Sequence, residues 1–459
     1  YKVITTKSLQ QFIGGYLMSA QQNEIVNNFP GLLSNVHQIR ELDFPLFDAS
    51  GRIYLDSTAT TQEPQSVKNI MHEYRSQTIR GSNHSKNSLE ARRANDRFEE
   101  ARQKLQLFFS AKNYIVTFSG GTTDSSNWVA TRFPFKKGDL LLLTNIEHNS
   151  QIVTARNMAR RMGVHIEYVP ENDETGQIDL EKLRSIVSNR KKGKILLNLV
   201  HASNVTGAIN PVREIRNIMG ERGFIYLDMA QSAGHIPIDL DSLDIDFAAA
   251  SSHKMYGPMG IGTIFINKKS NRFIPNTVSG GSAVKLVSRW ITAYADGHAR
   301  FEPGTQDIEG AIEWGFTIDY LQKIGIEKIA AHDSALGKYF FNELKTIPKI
   351  NILGPTEVKH RNAIITFTGA ALGVDHEHMA CELDRRGISV RDGCFCAHIY
   401  VSRQLGAPDI MHEIRTGMMK LGLFKDLLML PGAVRTSFAF YNTIDEAFKT
   451  TQAIREILN

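Results

Sequence analysis

The chain has 459 residues, 42% of them apolar and 22% charged, the proportions of a soluble globular protein of two or more domains. Its net charge of +5 is spread among interleaved acids and bases, apart from short runs such as Arg190-Lys191-Lys192, so nothing calls for a nucleic-acid partner. No apolar run approaches the roughly 18 residues of a membrane span. Three cysteines, Cys381, Cys394 and Cys396, make no disulfide framework and fit a reducing, cytoplasmic setting.

Residues 1–45 carry weak helical patterning at Leu9, Phe12, Ile13 and Tyr16 and read as an N-terminal extension packed on the body. Arg52–Leu55 is expected to be a short strand, followed by the polar turn Asp56–Thr61. From Leu89 to Phe109, apolar residues recur at Ala94, Phe98, Ala101, Leu105 and Phe108, the period of an amphipathic helix. Seven short apolar runs then alternate with helical segments: Ile115–Phe118, Leu140–Thr144, His165–Val169, Ile195–Val200, Phe224–Leu227, Phe247–Ser251 and Gly262–Ile266. This alternation predicts an α/β fold with a mainly parallel seven-stranded sheet covered on both faces. After Ile308 the pattern changes. Helical stretches at Ile312–Leu321 and Ile329–Leu344 lead to a strand at Ile364–Phe367, a helix from near Asp375 and a strand at Ile388–Arg391. A capping box, Thr443 to Glu446, opens the last helix. We therefore expect a large domain over residues 46–305 and a smaller C-terminal α/β domain over 306–459.

Ligands on parallel sheets gather beyond the carboxyl ends of the strands, and the polar clusters of this chain fall there. Lys254 follows the buried run Phe247–Ala250 and is hedged by Ser251, Ser252, His253 and the glycines 257 and 260. It reads either as an ordinary loop lysine or as an amine that forms a Schiff base with a carbonyl cofactor. Ser119-Gly-Gly-Thr-Thr-Asp124, at a strand-to-helix turn, suits a phosphate through its glycines, helix-start N–H groups and the hydroxyls of Thr122 and Thr123. It lacks the Gly-Lys-Ser/Thr ending of a Walker loop, and such turns also occur without a ligand. Asp228, at the end of a strand, wants a cation, which could be a protonated pyridine nitrogen; a helix cap or an ion pair is the plain alternative. His148, past another strand end, is either structural or placed to stack on an aromatic cofactor and move protons. A lysine, an acid, a phosphate-type turn and a histidine at the ends of four different strands together point to pyridoxal phosphate chemistry.

The sequence resembles the class V aminotransferase fold family, and most closely the group II (Suf-type) cysteine desulfurases. The resemblance runs from about Tyr54 to the C-terminus through YLDSTAT at Tyr54, SGGTTDSSNWVA at Ser119, EHNSQIV at Glu147 and HASNVTGAINP at His201. It continues through DMAQSAGHIPID at Asp228, SSHKMYGPMGIG at Ser251, FEPGTQD at Phe301, VRDGCFCA at Val390 and VRTSFAFYNT at Val434. It implies the type I fold of pyridoxal-phosphate enzymes, with Lys254 as the Schiff-base lysine and Asp228 as the partner of the ring nitrogen. It also implies His148 stacked on the ring, Gln231 near the ring hydroxyl, and Thr123, Ser251 and His253 as phosphate ligands beside Thr122. Thr305 would serve the neighbouring subunit's phosphate, which implies a homodimer with shared active sites. Asn204 and Arg435 would hold the substrate carboxylate with Arg391 lining that pocket, and Cys396 would be the nucleophile. The implied reaction takes L-cysteine to L-alanine, leaves a persulfide on Cys396 and supplies a sulfur-acceptor protein, for iron–sulfur cluster or other sulfur-cofactor assembly.

Several positions depart from the family pattern. Gly120 stands where the family has arginine, Asn149 where it has a second histidine, and Cys394-Phe395 where it has a pair of histidines. The interval from Cys396 to Arg435 is longer, with helical patterning between Ser402 and Leu430 expected to lie near the active-site mouth. Cys394-x-Cys396-x-His398 lacks a fourth metal ligand, and Asp375-His376-Glu377-His378 lacks His-Glu-x-x-His spacing, so no metal is expected. A selenocysteine lyase or another class V lyase or aminotransferase is the alternative activity, and a catalytically retired scaffold the alternative class.

Overall fold

The structure, a computed structural model, describes residues 31–82, 87–275, 279–421 and 432–458. The helical patterning expected before residue 30 lies outside them. Ile53–Tyr54 is β1, Tyr114–Ser119 β2, Leu140–Thr144 β3, His165–Val169 β4, Ile195–Val200 β5, Gly223–Asp228 β6, Phe247–Ser251 β7 and Gly262–Asn267 β8. Strands β2 to β8 make one seven-stranded sheet in the order β2-β8-β7-β6-β5-β3-β4, in which only β8 runs antiparallel to its neighbours. Every residue of β3, β5, β6, β7 and β8 is buried, because helices cover both faces and such strands carry continuous apolar runs rather than alternation. β4 closes one edge and is the more exposed. Val284–Val287 (β9) and Thr292–Tyr294 (β10) form a separate antiparallel pair.

The Leu89–Phe108 helix starts at Ser88, whose hydroxyl accepts the Ala91 N–H at 3.1 Å, and buries Ala94, Phe98, Ala101 and Leu105. Against it lies the Ile308–Ile324 helix, whose Ala311, Trp314, Ile318 and Leu321 join the same core. Gly315 makes this crossing close: a Cβ there would sit 3.0 Å from that of Ala101. The helix just beyond the expected boundary at residue 305 thus packs with the large sheet.

A second, four-stranded antiparallel sheet is built from Asn351–Ile352 (β11), Ile364–Thr368 (β12), Ala433–Ser437 (β15) and Arg391–Gly393 (β14), in the order β11-β12-β15-β14. Its core includes Leu336, Phe340, Phe367, Leu383 and Ile454. The strand expected over Ile388–Arg391 is broken at Val390. Ile388–Ser389 (β13) pairs in parallel with β1, while β14 pairs with β15. β1 and β13 thus form a separate two-stranded pair, with Ile53 and Leu55 in the C-terminal core, and Asp56 after β1 bridges to Ser437.

The Ile444–Leu458 helix opens as expected: the Thr443 N–H donates to Glu446 Oε2 at 3.0 Å, and the Glu446 N–H donates to Thr443 Oγ1 at 3.2 Å. Thr443→Ala removes one arm of this box and is expected to cost about 1 kcal/mol, read as a lower urea midpoint for the C-terminal part. An unchanged midpoint would contradict the cap's contribution.

Candidate active site

The carboxyl ends of β2, β3, β5, β6 and β7 face one cavity of about 450 Å³. Thr122, Thr123, His148, Asn204, Asp228, Gln231, Ser251, His253 and Lys254 all line it, so residues from five strand ends converge there. Thr305 does not line it and is exposed. Arg391 is also outside the lining, with 57% of its side chain exposed.

At the end of β6, Asp228 is 3% exposed. Its Oδ1 accepts the Ala230 N–H at 2.9 Å, and its Oδ2 accepts from Gln151 Nε2 at 3.2 Å. Gln151 is itself held, donating to Ser126 Oγ at 2.9 Å and accepting from Asn198 Nδ2 at 3.2 Å. Among the described residues no lysine, arginine or histidine forms a salt bridge with Asp228. A buried carboxylate supported by neutral donors alone is poised for a cation that enters the cavity.

Lys254 ends the short 3₁₀ turn after β7. The turn is fixed from behind by Thr61, whose N–H and Oγ1 both donate to the His253 carbonyl, at 2.9 and 3.0 Å. Burial lowers the Lys254 amine below its ordinary value, while the Asp228 charge works the other way. A larger share of neutral amine results, the form that can attack a carbonyl or take a proton.

His148 caps the Asn149–Met162 helix: its Nδ1 accepts the Ser150 N–H at 3.1 Å. An accepting Nδ1 carries no proton, which places the neutral ring's proton on Nε2. Burial first, and then the Lys254 charge, push the imidazole down to about 4, so it is neutral at physiological pH. Beside it the fully buried Glu147 accepts from Thr144 Oγ1 at 2.7 Å and the Val200 N–H at 3.0 Å, and burial raises its carboxyl to about 8.

The phosphate-type turn is a close approach of backbones. Gly121 has φ +126°, and a Cβ on Gly262 would lie 2.5 Å from Gly121 Cα. Ser251 Oγ accepts the Thr122 N–H at 2.8 Å and is 2.8 Å from Thr122 Oγ1, so Ser251 braces the turn as well as lining the cavity. The Thr122–Arg132 helix starts here, and of its first-turn N–H groups that of Thr122 is taken by Ser251.

Arg435, from β15, is 3% exposed. It donates to Asp56 Oδ1 and the Asn204 carbonyl, both at 3.0 Å, and its Nε has no partner. Asp56 also faces Arg391 at 3.8 Å. Cys396 is exposed, and its carbonyl accepts the Asn149 N–H at 2.7 Å, one residue past His148 on the cavity wall. Asn149 Nδ2 donates to His398 Nδ1 at 2.8 Å, so the departure from the family pattern at 149 is answered by a partner just past the cysteine. The Asp409–Lys420 helix that follows is joined to the His398–Gln404 helix through Ser402 Oγ and His412 Nδ1 at 3.1 Å, and through Arg403 and Asp409 at 2.9 Å. The remainder of the expected helical segment, from residue 422, lies outside the described residues. Sequence reasoning missed Asp56 and Gln151. The first stood at a strand end and the second on a buried helical face, both signals of a carboxylate or amide with a task. No cluster able to hold a metal is present among the described residues, and no helix among them is long and apolar enough to cross a membrane.

A family model, aminotransferase class V, matches residues 53–448. The chain belongs to that family. It is 31% identical to a probable cysteine desulfurase of Streptomyces coelicolor, over 95% of this chain and 99% of that one. A cysteine desulfurase structure from Thermococcus onnurineus superposes with a TM-score of 0.80 at 29% identity, covering 92% of this chain and 98% of that one. One from Escherichia coli gives 0.78 at 26% identity, over 93% and 99%. The family depends on pyridoxal 5′-phosphate, and the residues present fit it. Asp228 has no salt-bridge partner among the described residues, Gly121, Thr122, Thr123 and Ser251 line the cavity at the glycine turn, and Lys254 is a depressed amine on the same cavity.

Gly262→Ala should displace Gly121 and abolish the cofactor's visible absorbance while leaving far-ultraviolet dichroism intact; retention of full absorbance would contradict the role of this close backbone approach in shaping the turn. A second test concerns Glu147. Raised above its ordinary value near 4.5 to about 8, it keeps in the folded chain a proton that it loses when unfolded. Its contribution to stability is therefore present at low pH and lost as pH rises between those values. Glu147→Gln, neutral throughout, should flatten that part of the stability–pH curve, and an unaltered slope would contradict the assignment.

Proposed function

We propose that the protein is a pyridoxal-phosphate-dependent cysteine desulfurase that converts L-cysteine to L-alanine and leaves the sulfur as a persulfide on Cys396. The observation that carries this reading is an exposed thiol on a turn held to the wall of the cavity: the Cys396 carbonyl accepts the N–H of Asn149, next to His148, and the Phe395 carbonyl accepts from Asn204. An aminotransferase or a simple lyase needs no such thiol.

Pyridoxal phosphate, when bound, supplies an electron sink for the substrate's Cα. Thr122, Thr123, Ser251 and His253, with the N–H groups of the turn, would hold its phosphate. Asp228 would keep its ring nitrogen protonated, Gln231 would face its hydroxyl, and neutral His148 would lie over its ring. Arg435, with Asn204 and Arg391, would receive the substrate carboxylate, which replaces part of what Asp56 now supplies. Lys254 takes the Cα proton. The Cys396 thiolate attacks the substrate sulfur, and a sulfur–sulfur bond forms as the carbon–sulfur bond breaks. The electron pair of the broken bond stays with carbon, which takes a proton to become the methyl of alanine, and Lys254 returns a proton to Cα.

Thr305, exposed and off its own chain's cavity, supports a homodimer in which it reaches the neighbouring subunit's phosphate. The exposure of Cys396 supports delivery of sulfur to an acceptor protein, with iron–sulfur cluster assembly in the cytoplasm as its use. The test is a panel of small amino acids read for alanine, sulfide, selenide and keto acid under reductant. L-cysteine should give alanine and sulfide, and Cys396→Ala should lower that turnover by about a hundredfold or more with cofactor absorbance kept. Unchanged turnover in that variant would overturn the reading.

A further inference from the structure

The turn that presents Cys396 is built against backbone preference. The Ala397 N–H donates to the Cys394 carbonyl at 2.9 Å, closing a four-residue turn. Its two central residues, Phe395 and Cys396, have φ of +52° and +54°. Left-handed conformations at both positions are the habit of Asn-Gly turns and are disfavoured for residues with a Cβ, more so for a bulky one. A turn of this kind persists only where its surroundings hold it.

Two residues from strand-end loops of the large sheet do so. Asn204 Nδ2 donates to the Phe395 carbonyl at 2.7 Å, and the Asn149 N–H donates to the Cys396 carbonyl at 2.7 Å. The Phe395 ring is buried among Ile146, Val200, Val205 and Tyr400, and the Arg435 guanidinium carbon lies 4.8 Å from its centroid. Arg435 in turn donates to the Asn204 carbonyl at 3.0 Å. A closed circuit results: arginine to asparagine, asparagine to the cysteine turn, and the ring of that turn back to the arginine.

We propose that Phe395 is a positioning residue that couples occupancy of Arg435 by an amino-acid carboxylate to the placement of the Cys396 thiol. The inference rests on the desulfurase reading. An aromatic face under a buried guanidinium restrains its plane without competing for its N–H groups, leaving Nε for an incoming carboxylate. A carboxylate that shifts Arg435 away from Asp56 moves it against the ring, and the ring carries the two residues of the turn.

The test compares Phe395→Leu, which keeps apolar bulk without a π face, with Phe395→Tyr, which keeps the face. Two readouts are followed: alanine formation from L-cysteine, and the rate at which iodoacetamide alkylates Cys396, mapped peptide by peptide with and without L-alanine, the product, as a carboxylate probe that carries no sulfur. Phe395→Leu should raise KM and lower kcat/KM about tenfold, and should abolish the change in Cys396 alkylation that L-alanine causes in the unmodified enzyme. Cofactor absorbance and thermal midpoint should hold, and Phe395→Tyr should restore both readouts to within about twofold. If Phe395→Leu keeps the kinetic constants and the L-alanine response, or if L-alanine changes nothing in the unmodified enzyme, Phe395 is only core filling and the proposal falls. Failure of the unmodified enzyme to make alanine would instead refute the desulfurase reading, while the alkylation readout would still decide the coupling.

Discussion

A carboxylate buried at the end of a strand with only neutral donors around it is the constraint on which the site depends. Asp228 takes its hydrogen bonds from a backbone N–H and from Gln151, and Gln151 is locked by Ser126 and Asn198. Leaving a charge so placed is costly unless a cation answers it. The sheet makes the arrangement possible: β6 is buried along its whole length and delivers Asp228 to the open carboxyl edge, next to β7, which delivers Lys254. The same burial that makes Asp228 demand a cation lowers the amine of Lys254. An amine lowered from its ordinary value and a carboxylate with no salt-bridge partner among the described residues, on one cavity, are complementary to a carbonyl compound with a protonated ring.

The other half of the chemistry comes from the C-terminal side, and hydrogen bonds join the halves. β1, paired with β13, brings Asp56 beside Arg435 on β15, and Arg435 donates on to the Asn204 carbonyl beyond β5. Asp56 keeps the buried guanidinium compensated in a manner that a substrate carboxylate can take over. The cysteine turn sits at this seam, gripped by Asn149 and Asn204 from the large sheet. Docking of the two sheets is therefore part of the active site's geometry.

Much of this architecture was legible from residue order. Runs such as Leu140–Thr144 and Ile195–Val200 have one reading because strands buried on both faces need unbroken apolar stretches. Thr443 and Glu446 likewise announce a helix start. What was not legible depends on partners distant in sequence. Nothing local to Ile388–Arg391 tells that the strand divides at Val390 between two sheets, since the division is imposed by β1 and β15. The helix after Ile308 reads as the start of a new domain, yet its apolar face completes the core of the first. In the site, Lys254, Asp228 and the glycine turn declare themselves by residue type at strand ends. Asp56 and Gln151 do not, because their task is to support others. The left-handed turn at Phe395 and Cys396 has no glycine or asparagine to signal it, and only tertiary contacts hold it there.

The central claim is that sulfur passes from L-cysteine to Cys396. It is tested most directly by one turnover of the holoenzyme with L-cysteine in the absence of reductant, followed by alkylation and peptide mass mapping. The account predicts one alanine per active site and one added sulfur atom on the peptide that carries Cys396. Alanine formed with the added sulfur on Cys381 or Cys394, or with no sulfur retained on the chain, would contradict it.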